Sequence, residues 1–160
     1  MGEAKVYFAG AIRGERRFKK VFHELIAYIQ SLGFEVLTEH VGRSHPIAYQ
    51  AKKLDEKVEE LTAEQIEQRD IVWLDSATHV IAEISGASTG TGREIEYART
   101  KGQLGKMPAR ILVLYVHDRE FYASPMIRGM TPDRYGNILV KAYTTPEEAK
   151  KYIKDFLNHP

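Results

Sequence analysis

The stretch HVIAEISGASTGTGREIEYA, His79 to Ala98, decides the fold, because three textures follow one another within it. An apolar run of strand length (79–84) gives way to a loop of glycines and hydroxyls, then to a segment of helical spacing that begins near Thr91. Strand, small-residue turn and helix in that order make half of a β-α-β unit, whose next strand runs parallel to the first. The same alternation repeats outward. Strand-like runs stand at KVYFA (5–9), FEVLT (34–38), RILVLYV (110–116) and NILVKAY (137–143). After the first of them Phe18, Val21, Phe22, Leu25, Ile26 and Ile29 recur at helical spacing, and Gly33 ends the pattern as a C-terminal glycine should. Thr62 and Gln65 have the spacing of a capping box that opens a helix to about Leu74. Pro146 stands just inside the last helix, TPEEAKKYIKDFL. The polar segment 41–61 reads either as a short helix or as a flap over a site. The expectation is an α/β chain: a single doubly wound domain over 1–160, Rossmann-like or flavodoxin-like, with a five-stranded parallel sheet in the order 2-1-3-4-5 flanked by helices.

Composition narrows the partners. The 160 residues are 43% hydrophobic, which suits one sizeable core. Basic and acidic side chains leave a net charge of +1, so no broad field favours a nucleic-acid polymer or a membrane surface. Cysteine is absent, which removes disulfides, thiol catalysis and thiolate metal ligands. Ahead of the first strand MGEAKVYFAG shows no basic region followed by an apolar one, so no leader is expected, and no apolar run approaches the ~20 residues that span a bilayer. A cytoplasmic location is expected. His23, His45, His79, His117 and His159 show no metal-ligand spacing, so neither a metal nor a cofactor is expected.

In a doubly wound sheet, ligands bind outside the carboxyl ends of the strands. Those ends lead into GAIRGE (10–15), EHVGRSH (39–45), SGASTGTGRE (85–94) and the long HDREFYASPMIRG (117–129). Glu94 falls three residues after Thr91 and reads either as the acid of a capping box or as an anion held by the helix dipole and available as a nucleophile. Gly86, Gly90 and Gly92 let backbone amides approach an anion, and Ser88 and Thr89 add hydroxyls. The loop is neither a Walker sequence nor a GxGxxG dinucleotide fingerprint. Asp70 shares a helix face with Ile66, Trp73 and Leu74, which makes it the partner of Arg69 or Arg13, a residue turned outward by a frayed helix boundary, or a desolvated carboxyl suited to general acid work. A pair of carboxyls of this kind is what glycosidic bond cleavage needs. Tyr7 lies mid-strand, where inward aromatics are core. Arg13 reads as a bidentate phosphate ligand or a surface partner of Glu15, and His40 as a ligand of phosphate or sugar or as a strand cap.

Four blocks, VYFAGAIRG, LTEHV, IAEISGASTGTGREIEYA and SPMIRG, together resemble the 2'-deoxynucleoside 5'-monophosphate N-glycosidases of the nucleoside deoxyribosyltransferase superfamily, collinearly from Lys5 to about Gly129. The resemblance implies hydrolysis of the N-glycosidic bond of a deoxynucleoside 5'-monophosphate to free base and 2-deoxyribose 5-phosphate. It implies Glu94 as the nucleophile of a covalent glycosyl-enzyme, Asp70 as proton donor to the base, and Tyr7 orienting the nucleophile. The phosphate falls to Ser88 and Gly90 with Arg13 nearby and Ser124 from a second subunit, so a homodimer is implied. By the same resemblance Gly10, Ala11, Ile12, Gly14, Arg16 and His40 would line the nucleotide pocket, with Pro125 and Met126 beside Ser124. Pro125 stands where the family commonly has alanine and Thr78 where it commonly has aspartate. The alternatives are a transferase that exchanges bases, a ribonucleoside monophosphate N-hydrolase, and a non-catalytic nucleotide sensor.

Overall fold

The computed structural model describes residues 4–11, 18–38 and 62–159. In chain order the elements are β1 (Lys5–Ala9), α1 (Lys19–Ser31), β2 (Glu35–Val36), α2 (Ala63–Ser76), β3 (His79–Glu83), α3 (Thr89–Thr100), β4 (Arg110–Val116), α4 (Pro125–Arg128), α5 (Pro132–Tyr135), β5 (Ile138–Tyr143) and α6 (Pro146–Asn158). The strands form one sheet in the order β2-β1-β3-β4-β5. Every pairing is parallel, with Tyr7 opposite Val80, Ile81 opposite Leu112 and Val113 opposite Val140. The expected order and class are observed.

The central strands are mostly apolar because both faces of the sheet are covered. On one face Tyr7, Ala9, Val80, Ala82, Ile111 and Val113 pack with Trp73 and Leu74 of α2 and Ile95 and Ala98 of α3. On the other, Val6, Phe8, Ile81, Leu112 and Leu114 pack with Phe22, Leu25 and Ile29 of α1 and Ile153 and Phe156 of α6. The strand expected over 34–38 is shorter. Only Glu35 and Val36 are strand; one more backbone bond follows, from the Leu37 amide to the Val6 carbonyl, and pairing then passes to a side chain, the Thr38 hydroxyl, which accepts from the Phe8 amide and donates to its carbonyl, both at 2.7 Å. Gly33 ends α1 at a φ of 89°, the left-handed conformation that favours glycine.

The capping box at Thr62 is present with both of its bonds, and α2 runs two residues past Leu74, to Ser76. Lys101 is wholly buried and donates to the carbonyls of Leu74 (2.6 Å), Asp75 (3.2 Å) and Ala77 (2.7 Å). It thereby satisfies the carbonyls that the end of α2 leaves without helical partners. Thr78 bonds through its hydroxyl to the Lys5 amide and carbonyl and so joins the beginnings of β1 and β3. Segment 41–61 lies outside the described residues.

Candidate active site

Order reverses between β1 and β3, where the chain winds first towards β2 and later towards β5. At this switch point a doubly wound sheet opens a crevice at its carboxyl end, and a cavity of about 590 Å³ lies there. Gly10 lines it from the end of β1, residues 87–91 from the β3–α3 turn, Glu94 and Tyr97 from α3, and Ile66, Asp70 and Leu74 from α2. Gly10 is required by what stands behind it, since a Cβ there would come within 2.8 Å of the Phe22 ring.

The turn into α3 differs from its expected form. Ser88, not Thr91, is the N-cap: its Oγ accepts from the Thr91 amide at 3.2 Å, and the helix starts at Thr89. The Thr91–Glu94 capping box does not form. Glu94 therefore sits in the second turn, away from the helix end, and its carboxylate is engaged elsewhere. Tyr7 donates its phenolic proton to Glu94 Oε1 at 2.6 Å across 87 residues of chain.

Burial works against the expectation that Glu94 is held ionised. Desolvation pushes its pKa up to about 8, and the nearby Asp70 charge pushes the same way, while the Tyr7 hydrogen bond and Arg93 pull it down. Tyr7 is 2% exposed. Burial and the Glu94 and Asp70 charges raise its pKa well above the ordinary phenol value, so at neutral pH it remains a donor. The ring is core, as its place in the strand implies, and the hydroxyl reaches Glu94, which lines the cavity.

Tyr7, Glu94 and Asp70 come together, and Gly10, Ser88 and Gly90 share their cavity. Ala11 is fully buried and does not line it. Ser124 precedes α4, with Pro125 at its first position and Met126 83% exposed; none of the three lines this chain's cavity. Ile12, Arg13, Gly14, Arg16 and His40 lie outside the described residues. Among the described residues no group of three or more His, Asp or Glu could hold a metal ion, and no helix is long and apolar enough to cross a membrane.

Three polar or aromatic lining residues, Tyr97, Glu67 and Arg93, escaped the sequence reading. Tyr97 lies three residues after Glu94, a spacing that puts it on the same helix face, and its hydroxyl donates to Asp75 and accepts from Lys106, each at 2.7 Å. Glu67 of α2 pairs with Arg93 of α3 at the rim.

The nucleoside 2-deoxyribosyltransferase family model matches residues 6–140. The chain belongs to this family. A 5-hydroxymethyl-dUMP N-hydrolase of Tetraodon nigroviridis is 32% identical over 157 residues, covering 97% of this chain and 98% of the relative. A Nematostella vectensis protein, provisionally named 2'-deoxynucleoside 5'-phosphate N-hydrolase 1, is 35% identical over 139 residues, covering 87% and 84%. A solved Clostridium botulinum CMP N-glycosidase, BcmB, superposes with a TM-score of 0.64 over 95% of this chain and 98% of its own at 19% identity, which speaks for the shared fold.

Proposed function

We propose that the chain hydrolyses the N-glycosidic bond of 2'-deoxynucleoside 5'-monophosphates through a glycosyl ester on Glu94. The coarser activity, N-glycosidic hydrolysis of nucleotides, follows from family membership together with near full-length similarity to N-hydrolases. One observation carries the finer reading: at the floor of the cavity Glu94 is bonded to Tyr7 at 2.6 Å, and Asp70 shares the wall.

The chemistry divides between the two carboxyls. A Glu94 carboxylate oxygen attacks C1' and forms the ester bond; the glycosidic pair leaves with the base nitrogen, which takes the Asp70 proton. Asp70, now ionised, accepts a proton from water as that water attacks C1', and Glu94 departs as carboxylate. Tyr7 favours the ionised form of Glu94 by donating to it. Ile66, Ile71 and Leu74 offer apolar surface for a planar base. At the other end Ser88 spends a lone pair on capping the helix and keeps its proton for phosphate, beside the free amides of the first turn of α3. Arg13 and His40 are proposed to complete the nucleotide contacts. Phe121 and Met126, 89% and 83% exposed, flank Ser124 and support the homodimer in which that serine serves the neighbouring site; sedimentation as a monomer only would remove it from the mechanism.

The test is incubation with the four deoxynucleoside monophosphates and 5-hydroxymethyl-dUMP. Free base and deoxyribose 5-phosphate are expected from at least one. Release from none by the folded protein sinks the reading, and base exchange on unphosphorylated nucleosides would replace it with a transferase.

A further inference from the structure

Glu83, the last residue of β3, is 0% exposed and lies outside the cavity. Strand alternation turns it to the face of Ile81, which packs with α1 and α6, opposite to Tyr7. Its carboxyl gathers donors from two places. The Ser85 amide donates to Oε2 at 3.2 Å, and the Ser85 hydroxyl donates to Oε1. Tyr143, at the end of β5, donates to Oε1 at 3.1 Å. The direction of the serine bond follows from its other partner: the Val116 amide, which can only donate, gives its proton to Ser85 Oγ at 2.7 Å. The serine proton therefore goes to Glu83. Arg119 then donates through Nε to the Ser85 carbonyl at 3.1 Å, with its guanidinium 3.8 Å above the Tyr122 ring.

Ser85 is thus held by its amide, carbonyl and side chain to the carboxyl ends of β3 and β4 and, through Glu83, of β5. A buried carboxyl costs desolvation that an apolar side chain of the same size would not. What it adds is direction, since converging donors fix where the chain leaves β3. Three residues further on stands Ser88, the cap of α3, followed by Gly90.

We infer that Glu83 is a positioning residue: acting through Ser85, it holds the β3–α3 turn so that Ser88 and the first amides of α3 meet the substrate phosphate. The inference rests on the N-hydrolase reading. Because phosphate binding is remote from the bond that breaks, its loss raises KM more than it lowers kcat.

Burial lifts Glu83 to about 7, against the opposing pull of the Ser85 and Tyr143 hydroxyls, the Ser85 amide and Arg119. Those are the groups that act on it among the described residues, and the β4 neighbours Leu114 and Val116 are apolar. Protonation would set a proton against the Ser85 amide and slacken the turn.

The experiment compares Glu83→Gln, Ser85→Ala and Tyr143→Phe with wild type. An amide in place of the carboxyl confronts a donor with a donor, so Glu83→Gln should raise KM about tenfold, the equivalent of one good hydrogen bond, with kcat within about threefold. Tyr143→Phe removes one donor, so KM should rise about threefold. It should also move the KM–pH inflection to higher pH; the substrate phosphate, titrating near ~6, is common to both enzymes. Calorimetry with deoxyribose 5-phosphate reads the same grip without turnover, about tenfold weaker in Glu83→Gln. If wild type releases no base, the N-hydrolase reading falls and calorimetry decides this inference alone. Unchanged KM, inflection and sugar-phosphate affinity, with only a lowered Tm, would overturn it. Should Glu83→Gln not fold, the Ser85 and Tyr143 variants, measured in the same way, decide it.

Discussion

Two carboxyls lie near the carboxyl ends of the same sheet, on opposite faces and in different company. Among the described residues Glu94 has one donor, Tyr7, and it borders an open cavity. Glu83 is enclosed, with the Ser85 amide and hydroxyl and the Tyr143 hydroxyl all directed at it. Burial raises both, Glu94 to about 8 and Glu83 to about 7, and the better supplied group rises less. The same residue type under similar desolvation becomes an anchor when its lone pairs are filled and a reactive group when they are left facing space. Tyr7 and Tyr143 show the parallel from the donor's side: both phenols are buried beside a carboxylate, and both are raised out of the range in which they could ionise at neutral pH.

The largest expected effect divides the pair. Glu94→Gln keeps the shape and removes the nucleophile, so kcat should fall at least about a thousandfold while deoxyribose 5-phosphate still binds. Glu83→Gln should leave kcat within about threefold and act on KM. Equal losses of kcat in the two variants would erase the distinction.

Tyr7→Phe gives an intermediate effect and tests how this donor acts. Attack requires ionised Glu94, so kcat/KM should rise with pH through about 8. The Tyr7 bond pulls that value down; without it the ascending limb should move to higher pH, and activity at pH 7 should drop about tenfold for each unit moved. A limb that stays in place would mean that Tyr7 holds the geometry of Glu94 without tuning its charge.

The sheet was legible because burial on both faces writes itself as apolar runs: 5–9 and 110–116 are strands to the residue. The run at 34–38 was too long as a strand because Thr38 turns its hydroxyl to β1 and ends the ladder, a choice that alternation does not encode. Asp70 stood out as a charge on an apolar helix face, and the cavity explains it. The start of α3 misled because Ser88–Thr91 and Thr91–Glu94 have the same spacing, and only the Tyr7 hydroxyl, from a distant strand, shows which pair is the cap. Glu83 attracted no notice inside an apolar run. Its donors come from Ser85 and from β5, and no local pattern announces them.

The smallest effect is on stability, and it separates the two carboxyls by pH alone. Both are raised in the folded chain above the ordinary 4.5. Their contribution is thus fully present below about pH 4.5, where both states are protonated, and is lost as pH rises through the folded values, because the unfolded chain ionises first. Each carboxyl can lower stability by at most ~1.4 kcal/mol per pH unit over its own window. Those windows close at about 7 for Glu83 and about 8 for Glu94. Other titrations cancel when a variant is compared with wild type at the same pH. Glu94→Gln should therefore gain on wild type from pH 5 up to about 8, having lost a group that is costly to ionise. Glu83→Gln should gain only to about 7, and from a lower starting point, because its amide faces the Ser85 N–H at every pH. Denaturant midpoints at four or five pH values decide it: two flat difference curves would show that neither carboxyl titrates abnormally, and coincident curves would show that their donors do not distinguish them.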